Sequence, residues 1–171
     1  GSRIGWKDME TNVVWPGRSL DRIQWSGTEV ILSAAHNSES LAHDLERLGN
    51  ERHVLVVGMT LKENLSETIE PLLHSEGRIQ TIVTEVHGGR KPSVPAGLLS
   101  EHISGDSDEP ALLISEAIEA IDAASKIAIE ENGMVYVTGS VYLVGQAIEE
   151  MVSREGADLW ECLVAHPPRT C

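Results

Sequence analysis

Short apolar runs rich in β-branched residues alternate along the chain with segments whose apolar residues recur at helical spacing. The predicted strands cover residues 29–32, 53–57, 79–84 and 134–137, and helical patterns at 38–48 and 64–73 follow the first two. Such alternation is typical of an α/β fold built on a largely parallel sheet. The runs at 54–57 and 79–83 are almost continuously apolar, which predicts interior strands covered by helices on both faces.

The two clearest helical patterns differ in length. In the first, Leu41, Leu45 and Leu48 form one apolar stripe, the polar residues including Asp44 are expected to point away from it, and Asn37 or Ser38 marks the start. The longest helix is predicted at about 111–131, introduced by the Asp-Glu-Pro sequence at 108–110 and ended by Asn-Gly at 132–133. Its inward residues are predicted to be Ile114, Ala117, Ile118, Ile121 and Ala128.

Three other segments have weaker patterns. Residues 18–25 alternate well enough to form a strand, which we expect at the edge of the sheet. Glycines and prolines in the segment 85–96 exclude regular structure and predict a turn-rich loop after a strand. Residues 165–171 are predicted to form a loosely held tail.

Charge and composition restrict the partners. Thirteen Lys and Arg residues against 27 Asp and Glu residues give the 171-residue chain a formal net charge of −14, which opposes binding to nucleic acids and anionic membranes. Cys162 and Cys171 show no metal-ligand or disulfide-framework spacing, and no apolar run approaches a membrane span, so a reduced, cytoplasmic protein is predicted. We expect one domain at 15–171 after a lead-in at 1–14, with Gly1 and Ser2 a cloning remnant.

The octapeptide at 138–145, Thr-Gly-Ser-Val-Tyr-Leu-Val-Gly, carries a predicted strand through a glycine turn into an amphipathic helix. Backbone N–H groups in the first turn of a helix lack intrahelical partners, and the Ser140 hydroxyl adds another donor. A carboxylate or phosphate is therefore attracted to this position. An ordinary serine N-cap explains the same residues and is the commoner case.

A second strand-to-helix junction at 33–37, Ser-Ala-Ala-His-Asn, sets His36 beside small residues that let a ligand approach the backbone. The carboxyl ends of parallel strands share one edge of a sheet, so His36 and Ser140 are predicted to face a common pocket. The alternative is a histidine that hydrogen-bonds across its own turn while Asn37 caps the helix.

Basic residues near these junctions are candidates for contact with an anion. Arg18 follows the tight sequence Trp-Pro-Gly, Lys62 lies in a third junction at 58–64, and Arg90 lies in the loop at 85–96. Each has the alternative of an ordinary solvated surface charge. The seven histidines show no His-x-His or His-Glu-x-x-His spacing, so no metal site is predicted, and the chain lacks a G-x-x-x-x-G-K-[ST] loop for nucleoside triphosphates.

Four motifs in fixed order resemble the carboxyl-terminal domain of folylpolyglutamate synthase and dihydrofolate synthase, members of the Mur ligase superfamily. They are WPGR at 15–18, SAAHN at 33–37, VVGM at 56–59 with Lys62, and TGSVYLVG at 138–145. Each motif is weak alone, but the ordered set is specific and spans most of the chain. The resemblance implies a Rossmann-like, mostly parallel α/β sheet flanked by helices, of the Mur ligase carboxyl-terminal domain type.

In that family, ATP phosphorylates a folate carboxylate, and the amino group of glutamate attacks the acyl phosphate to form an amide. The resemblance implies that this chain binds glutamate, while Mg²⁺ and the phosphate loop belong to a missing ATP-binding domain of the parent chain, so that the isolated domain is inactive. By motif position, the resemblance implies that Arg18 and Ser33 contact ATP. It implies a catalytic and glutamate-binding role for His36 and a glutamate contact from Ser140. Lys62 and Arg90 are expected to add anion contacts.

Two departures from the family pattern change the expectation. The second motif usually reads D-G-A-H-N, and here Ser33 and Ala34 take its first two positions, so a neutral hydroxyl replaces a negative charge and nucleotide contact is expected to be weaker. The acidic neighbours of Lys62 are also shifted. A Mur-type ligase for another amino acid and a non-catalytic binding module stay open. Ser33→Asp should improve or preserve ATP affinity in a working ligase and change nothing in a non-catalytic relic.

Overall fold

A six-stranded sheet forms the centre of the structure. The structure is a computed structural model that describes residues 22–104 and 109–155, and of Glu155 it describes the backbone alone. The strands are β1 (Arg22–Trp25), β2 (Thr28–Leu32), β3 (His53–Val57), β4 (Arg78–Val83), β5 (Leu112–Leu113) and β6 (Met134–Thr138). Their order is β1-β2-β6-β3-β4-β5, and every neighbouring pair is parallel except β1 with β2. The predicted α/β fold with a largely parallel sheet is confirmed.

Helices cover both faces of this sheet. Within the described residues they are α1 (Ser38–Leu48), α2 (Leu65–Leu73), α3 (Ala96–Ser104), α4 (Ala117–Glu130) and α5 (Val141–Glu155). Alternate residues of the strands point to opposite faces, so Val135 and Val137 pack with α4 and α5 while Tyr136 packs with α1 and α2. None of these helices has both the length and the apolar character needed to cross a bilayer.

The start of α1 shows how local sequence sets an element. Asn37 accepts a hydrogen bond from Ser40 N at 2.8 Å through its side chain, and the Ser40 side chain contacts Asn37 N at 3.3 Å, which together form a capping box. The helix ends at Gly49, whose φ is +59°. The predicted helix at 38–48 is confirmed, and of the two candidate start residues, Asn37 and Ser38, the structure has Asn37 as the cap.

The helix predicted at 111–131 is wrong in its first third. Leu112 and Leu113 pair with β4 as β5, and Ile114 N donates to Val83 O at 3.0 Å, so these residues are held by the sheet rather than by a helix. The helix begins at Ala117, and the longest helix in the described ranges is α5, with 15 residues. Two strand residues are too few to show a period of two, so the sequence pattern alone predicts a helix there. Helix α3 was not predicted.

The predicted edge strand at 18–25 is observed over Arg22–Trp25, antiparallel to β2. Trp25 is buried, and its Nε1 donates to Asp122 Oδ1 at 3.0 Å. Residues 1–21, with the Trp-Pro-Gly-Arg motif and Arg18, lie outside the described residues, as does the predicted tail.

His53 is a buried polar residue at the start of β3, on the side of the sheet opposite to the carboxyl ends of the parallel strands. Its Nδ1 lies 2.7 Å from the Glu51 carbonyl oxygen, so Nδ1 carries the proton, and Nε2 accepts from Ser75 Oγ at 2.9 Å. Burial is the largest influence and lowers the pKa of His53, against the raising effect of the Glu51 carbonyl. The folded chain therefore holds a neutral imidazole there.

Because of His53, the stability of the folded chain is expected to decrease as the pH is lowered. Below the ordinary histidine pKa of 6.5 the unfolded chain takes up a proton that folded His53 does not, so the free energy of unfolding decreases as pH falls through the window below 6.5. The slope from one proton is at most about 1.4 kcal/mol per pH unit. Urea denaturation at several pH values should show His53→Gln flattening this slope, whereas exposed His43→Gln serves as the control. An unchanged slope in His53→Gln would contradict the assignment.

Candidate functional site

Five parallel strands end at one edge of the sheet, here named the carboxyl edge. It consists of the segments that follow these strands, residues 33–37, 58–64, 84–95, 114–116 and 139–140. Because β6 lies between β2 and β3, its junction lies between theirs. His36, Ser140 and Lys62 therefore come from three neighbouring junctions, and ligands of open α/β sheets bind at this edge.

Backbone hydrogen bonds join the β2 and β6 junctions directly. Gly139 N donates to Ala35 O at 3.0 Å, and Ser33 N donates to Val137 O at 2.8 Å. On the other side, Gly58 N donates to Thr138 O at 3.3 Å, so the β3 junction is fixed to the same strand. The structure therefore holds the predicted junctions side by side.

His36 is exposed at the carboxyl edge. Its Nδ1 lies 2.9 Å from the Ala34 carbonyl oxygen, which can only accept, so Nδ1 carries the proton. This is the cross-turn hydrogen bond of the alternative interpretation. In the neutral imidazole, Nε2 is then an acceptor, and it has no partner among residues 22–104 and 109–155, so the same geometry presents this nitrogen to solvent.

Ser140 is the N-cap of α5. Its Oγ accepts from Tyr142 N at 3.1 Å, and its carbonyl accepts from Val144 N at 3.2 Å. Ser140 is buried, while Val141, the first residue of the helix, is 55% exposed. The serine cap is thus present, and the positive end of the helix dipole opens onto the carboxyl edge beside it.

Ser33 is buried, and its hydroxyl points into the protein. The hydroxyl donates to Asp44 Oδ2, and Ser33 Oγ accepts from Ala35 N at 3.2 Å. Tyr136 OH donates to the same Asp44 oxygen at 3.1 Å. Burial and the Asp44 charge raise the pKa of Tyr136, so its phenol stays a donor.

Asp44 is the residue that sequence reasoning misplaced. The sequence pattern predicts that Asp44 points away from the apolar stripe, and the structure has it half-buried between α1 and the sheet. Its position, three residues after Leu41 and four before Leu48, lies on the inward face of a helix. A polar residue at that spacing was the available signal.

Lys62 and Arg90 both lie at the carboxyl edge, one half-buried and one exposed. In the part of the chain that the structure describes, no salt bridge involves either side chain. At the opposite edge, Arg52 pairs with Glu131 at 2.9 Å and Arg78 donates to Leu72 O at 2.8 Å. The basic groups of the carboxyl edge are therefore available to an external anion.

The loop predicted at 85–96 is confirmed as irregular over residues 84–95, and Ala96 is already the first residue of α3. Val94 N donates to Met59 O at 2.7 Å, which anchors the loop to the β3 junction. At its other end His87 N donates to Gln146 Oε1 at 3.0 Å, and His87 Nε2 lies 3.7 Å from Glu116 Oε1. The loop therefore connects the β3 and β5 junctions to α5. Nothing in the local pattern indicates Gln146 as its partner.

The groups gathered at the carboxyl edge are an imidazole nitrogen, a capped helix start and unpaired basic side chains, a set that suits carboxylates and phosphates. In the described ranges no three His, Cys, Asp or Glu side chains are grouped so as to hold a metal ion. A pocket of about 160 Å³ adjoins this edge. Its lining residues are Glu116, Ala117, Ile118, Gln146, Glu149 and Glu150.

Residues 18–150 match the protein family described as dihydrofolate synthetase, C-terminal domain. A comparison with curated protein sequences gave no significant match. The matched region contains every described segment of the carboxyl edge.

Solved structures of similar fold carry related names. Folylpolyglutamate synthase from Thermotoga maritima has a TM-score of 0.69 and 21% identity, with 94% of this chain and 37% of that chain covered. Mycobacterium tuberculosis folylpolyglutamate synthase complexed with ADP and AMPPCP has a TM-score of 0.68 and 20% identity, covering 80% and 32%. The bifunctional folylpolyglutamate synthase/dihydrofolate synthase of Yersinia pestis, complexed with AMPPNP and Mn ion, has a TM-score of 0.61 and 22% identity, covering 80% and 31%. The chain thus spans about one third of the length of these proteins.

Proposed function

The chain belongs to the dihydrofolate synthetase C-terminal domain family, and we propose that it is the glutamate-binding part of a cytoplasmic, ATP-dependent ligase that joins glutamate to a folate carboxylate. One observation carries the proposal. The β2, β6 and β3 junctions lie side by side and present the free His36 Nε2, the start of α5 at Ser140, and the unpaired Lys62. Glutamate has an amine and two carboxylates that match these three groups.

In this proposal the carboxylates of glutamate bind the positive groups. The first turn of α5, capped by Ser140, takes one carboxylate through backbone N–H groups. Lys62 takes the other as a charge-assisted contact, and Arg90 adds an anion contact from the loop at 84–95. The amine then lies toward the β2 junction, where His36 is exposed.

His36 supplies the proton transfer that amide formation needs. Nitrogen forms a bond to the acyl carbon, phosphate leaves, and the amine loses a proton in the process. In the neutral imidazole, the hydrogen bond from Nδ1 to Ala34 O leaves Nε2 of His36 as the acceptor, so Nε2 can hold the amine and receive that proton as general base. Positioning supplies the remaining acceleration.

Two residues, Arg18 and Ser33, are proposed to lie near the nucleotide, and the structure describes only Ser33. Arg18 lies outside the described residues, and its ATP contact rests on the resemblance. Ser33 acts through the turn it organises, because its hydroxyl is engaged by Asp44. ATP and Mg²⁺ are held by a part of the parent protein outside this chain, in keeping with the AMPPNP and Mn ion of the Yersinia pestis protein, so the 171-residue chain alone does not turn over.

Calorimetric titration of the whole chain with L-glutamate tests the proposal. We expect saturable binding that Lys62→Ala weakens about 10- to 150-fold, since a charge-assisted hydrogen bond is worth about 1.5–3 kcal/mol. Lys126→Ala, which removes the same charge from an exposed position on α4, should leave the affinity unchanged. Equal losses in the two variants would contradict the assignment of Lys62.

The same titration separates the alternatives. Preference for another amino acid over glutamate would favour a Mur-type ligase with a different substrate. If glutamate binds and mixing with the ATP-binding part of a relative yields no amide in the presence of ATP, Mg²⁺ and a folate, the chain is a non-catalytic binding module.

A further inference from the structure

Asp44 is a half-buried carboxylate that reaches the sheet from α1. Its Oδ2 accepts two hydroxyl donors, Ser33 and Tyr136. Its Oδ1 has no hydrogen bond among the described residues. One oxygen is therefore fixed by two donors, and both donors are on strands or junctions rather than on the helix that carries Asp44.

The hydrogen bond from Ser33 to Asp44 fixes the orientation of the Ser33 hydroxyl and hence the donor that its oxygen can accept from. Because its proton points to Asp44, the oxygen's lone pair faces Ala35 N, which donates to it at 3.2 Å. The Ala35 carbonyl in turn accepts from Gly139 N at 3.0 Å and from Thr138 Oγ1 at 3.4 Å. A continuous set of hydrogen bonds thus leads from Asp44 to the contact between the β2 and β6 junctions.

The same turn orients His36. The Ala34 carbonyl that takes the Nδ1 proton of His36 belongs to the residue between Ser33 and Ala35. Its direction is therefore set by the hydrogen bonds on either side of it. Any change that lets Ser33 and Ala35 rotate also releases the carbonyl that fixes the imidazole.

We infer that Asp44 is a positioning residue, which holds the turn at 33–37 and its His36 in place through the Ser33 hydroxyl. The assignment deepens the proposed function, since it matters for ligation only if His36 acts there. Water cannot easily replace the carboxylate, because Ser33 and Tyr136 are both buried. Without an acceptor at position 44 both hydroxyls lose their partner, and the Ser33 proton turns toward whatever acceptor the turn can offer.

Amide hydrogen exchange of the whole chain, followed by NMR, tests this inference. In Asp44→Leu we expect exchange at Ala35 and Gly139 to be about tenfold faster relative to Val94, whose N–H donates to Met59 O in a different junction. Val94 reports any general loss of stability, so the ratio isolates the turn. Asp44→Asn keeps an oxygen acceptor and should restore the wild-type ratio. Glu46→Leu, an exposed residue of the same helix, is the matched control and should leave the ratio unchanged.

Two results would overturn the inference. One is equal acceleration at Ala35, Gly139 and Val94 in Asp44→Leu, which would mean that Asp44 only adds stability. The other is an Asp44→Asn variant that exchanges like Asp44→Leu. Exchange is measured without ligand, so its outcome is independent of whether glutamate binds and does not depend on the proposed function.

Discussion

Replacing Gly139 with alanine is expected to lower the free energy of unfolding by about 3 kcal/mol or more. The φ of Gly139 is +109°, a conformation that strains any residue with a side chain. A Cβ there would lie 2.6 Å from the Gly58 carbonyl oxygen and 3.1 Å from Met59 Cγ. The Gly58 and Gly139 backbones cannot move apart at low energetic cost, because Gly58 N is hydrogen-bonded to Thr138 O at 3.3 Å. Such a loss is a large part of the stability of about 5–15 kcal/mol that is usual for a domain.

A matched substitution in the next helix should have the opposite sign. A Cβ at Gly145 meets nothing within 4 Å, and this glycine lies inside α5, so Gly145→Ala is expected to stabilise the chain by about 0.5–1 kcal/mol. Urea denaturation of both variants measures the two effects. If Gly139→Ala is as stable as the wild type, the close packing of the β6 and β3 junctions is not as described.

The sheet could be predicted because its signal is local. The run at 53–57 is apolar at every position, and it forms β3 with both faces covered. In helix α1, Asn37 indicates the start of the helix, and Leu41 and Leu48 indicate its inward face. The strand at Leu112–Leu113 carries no such signal, because pairing with β4 decided its conformation.

The candidate site was predictable to the level of edges and junctions. Parallel strands place the junction of His36 and that of Ser140 at the same edge of the sheet whatever their side chains do. That the two junctions are neighbours depends on β6 lying beside β2. Which groups stay free depends on contacts between distant parts of the chain. Asp44 occupies the Ser33 hydroxyl, and Gln146 holds the loop at His87. Both contacts join segments from different elements, and they fix which donors and acceptors face outward.

The Ser33→Asp substitution restores the acidic residue of the family motif, yet we expect it to destabilise the chain by about 3 kcal/mol at pH 8. Ser33 is buried with its hydroxyl against Asp44, so the new carboxylate would be placed beside an existing one. Two carboxylates in contact cannot both ionise, and one of them keeps its proton to a higher pH than usual. The folded state then binds a proton that the unfolded chain, with an aspartate pKa of about 3.9, has released.

The pH dependence of that variant follows from the sign of this shift. Because its folded pKa is raised, stability relative to the wild type is greatest near pH 4 and declines as pH rises through the raised value, the reverse of the His53 effect. Urea denaturation at pH 5 and pH 8 should therefore show a larger loss at pH 8, and an equal loss at both would count against the contact with Asp44.

Combining Ser33→Asp with Asp44→Asn should recover most of the stability. The amide at position 44 can donate to the new carboxylate and still accept from Tyr136 OH. This double variant has one carboxylate in the pair, as the wild type does, and the control is the single Asp44→Asn variant. If the double variant is stable and the single Ser33→Asp variant is not, only the double variant can test whether an acidic residue at position 33 improves ATP affinity, because the single substitution also disturbs the turn that carries His36.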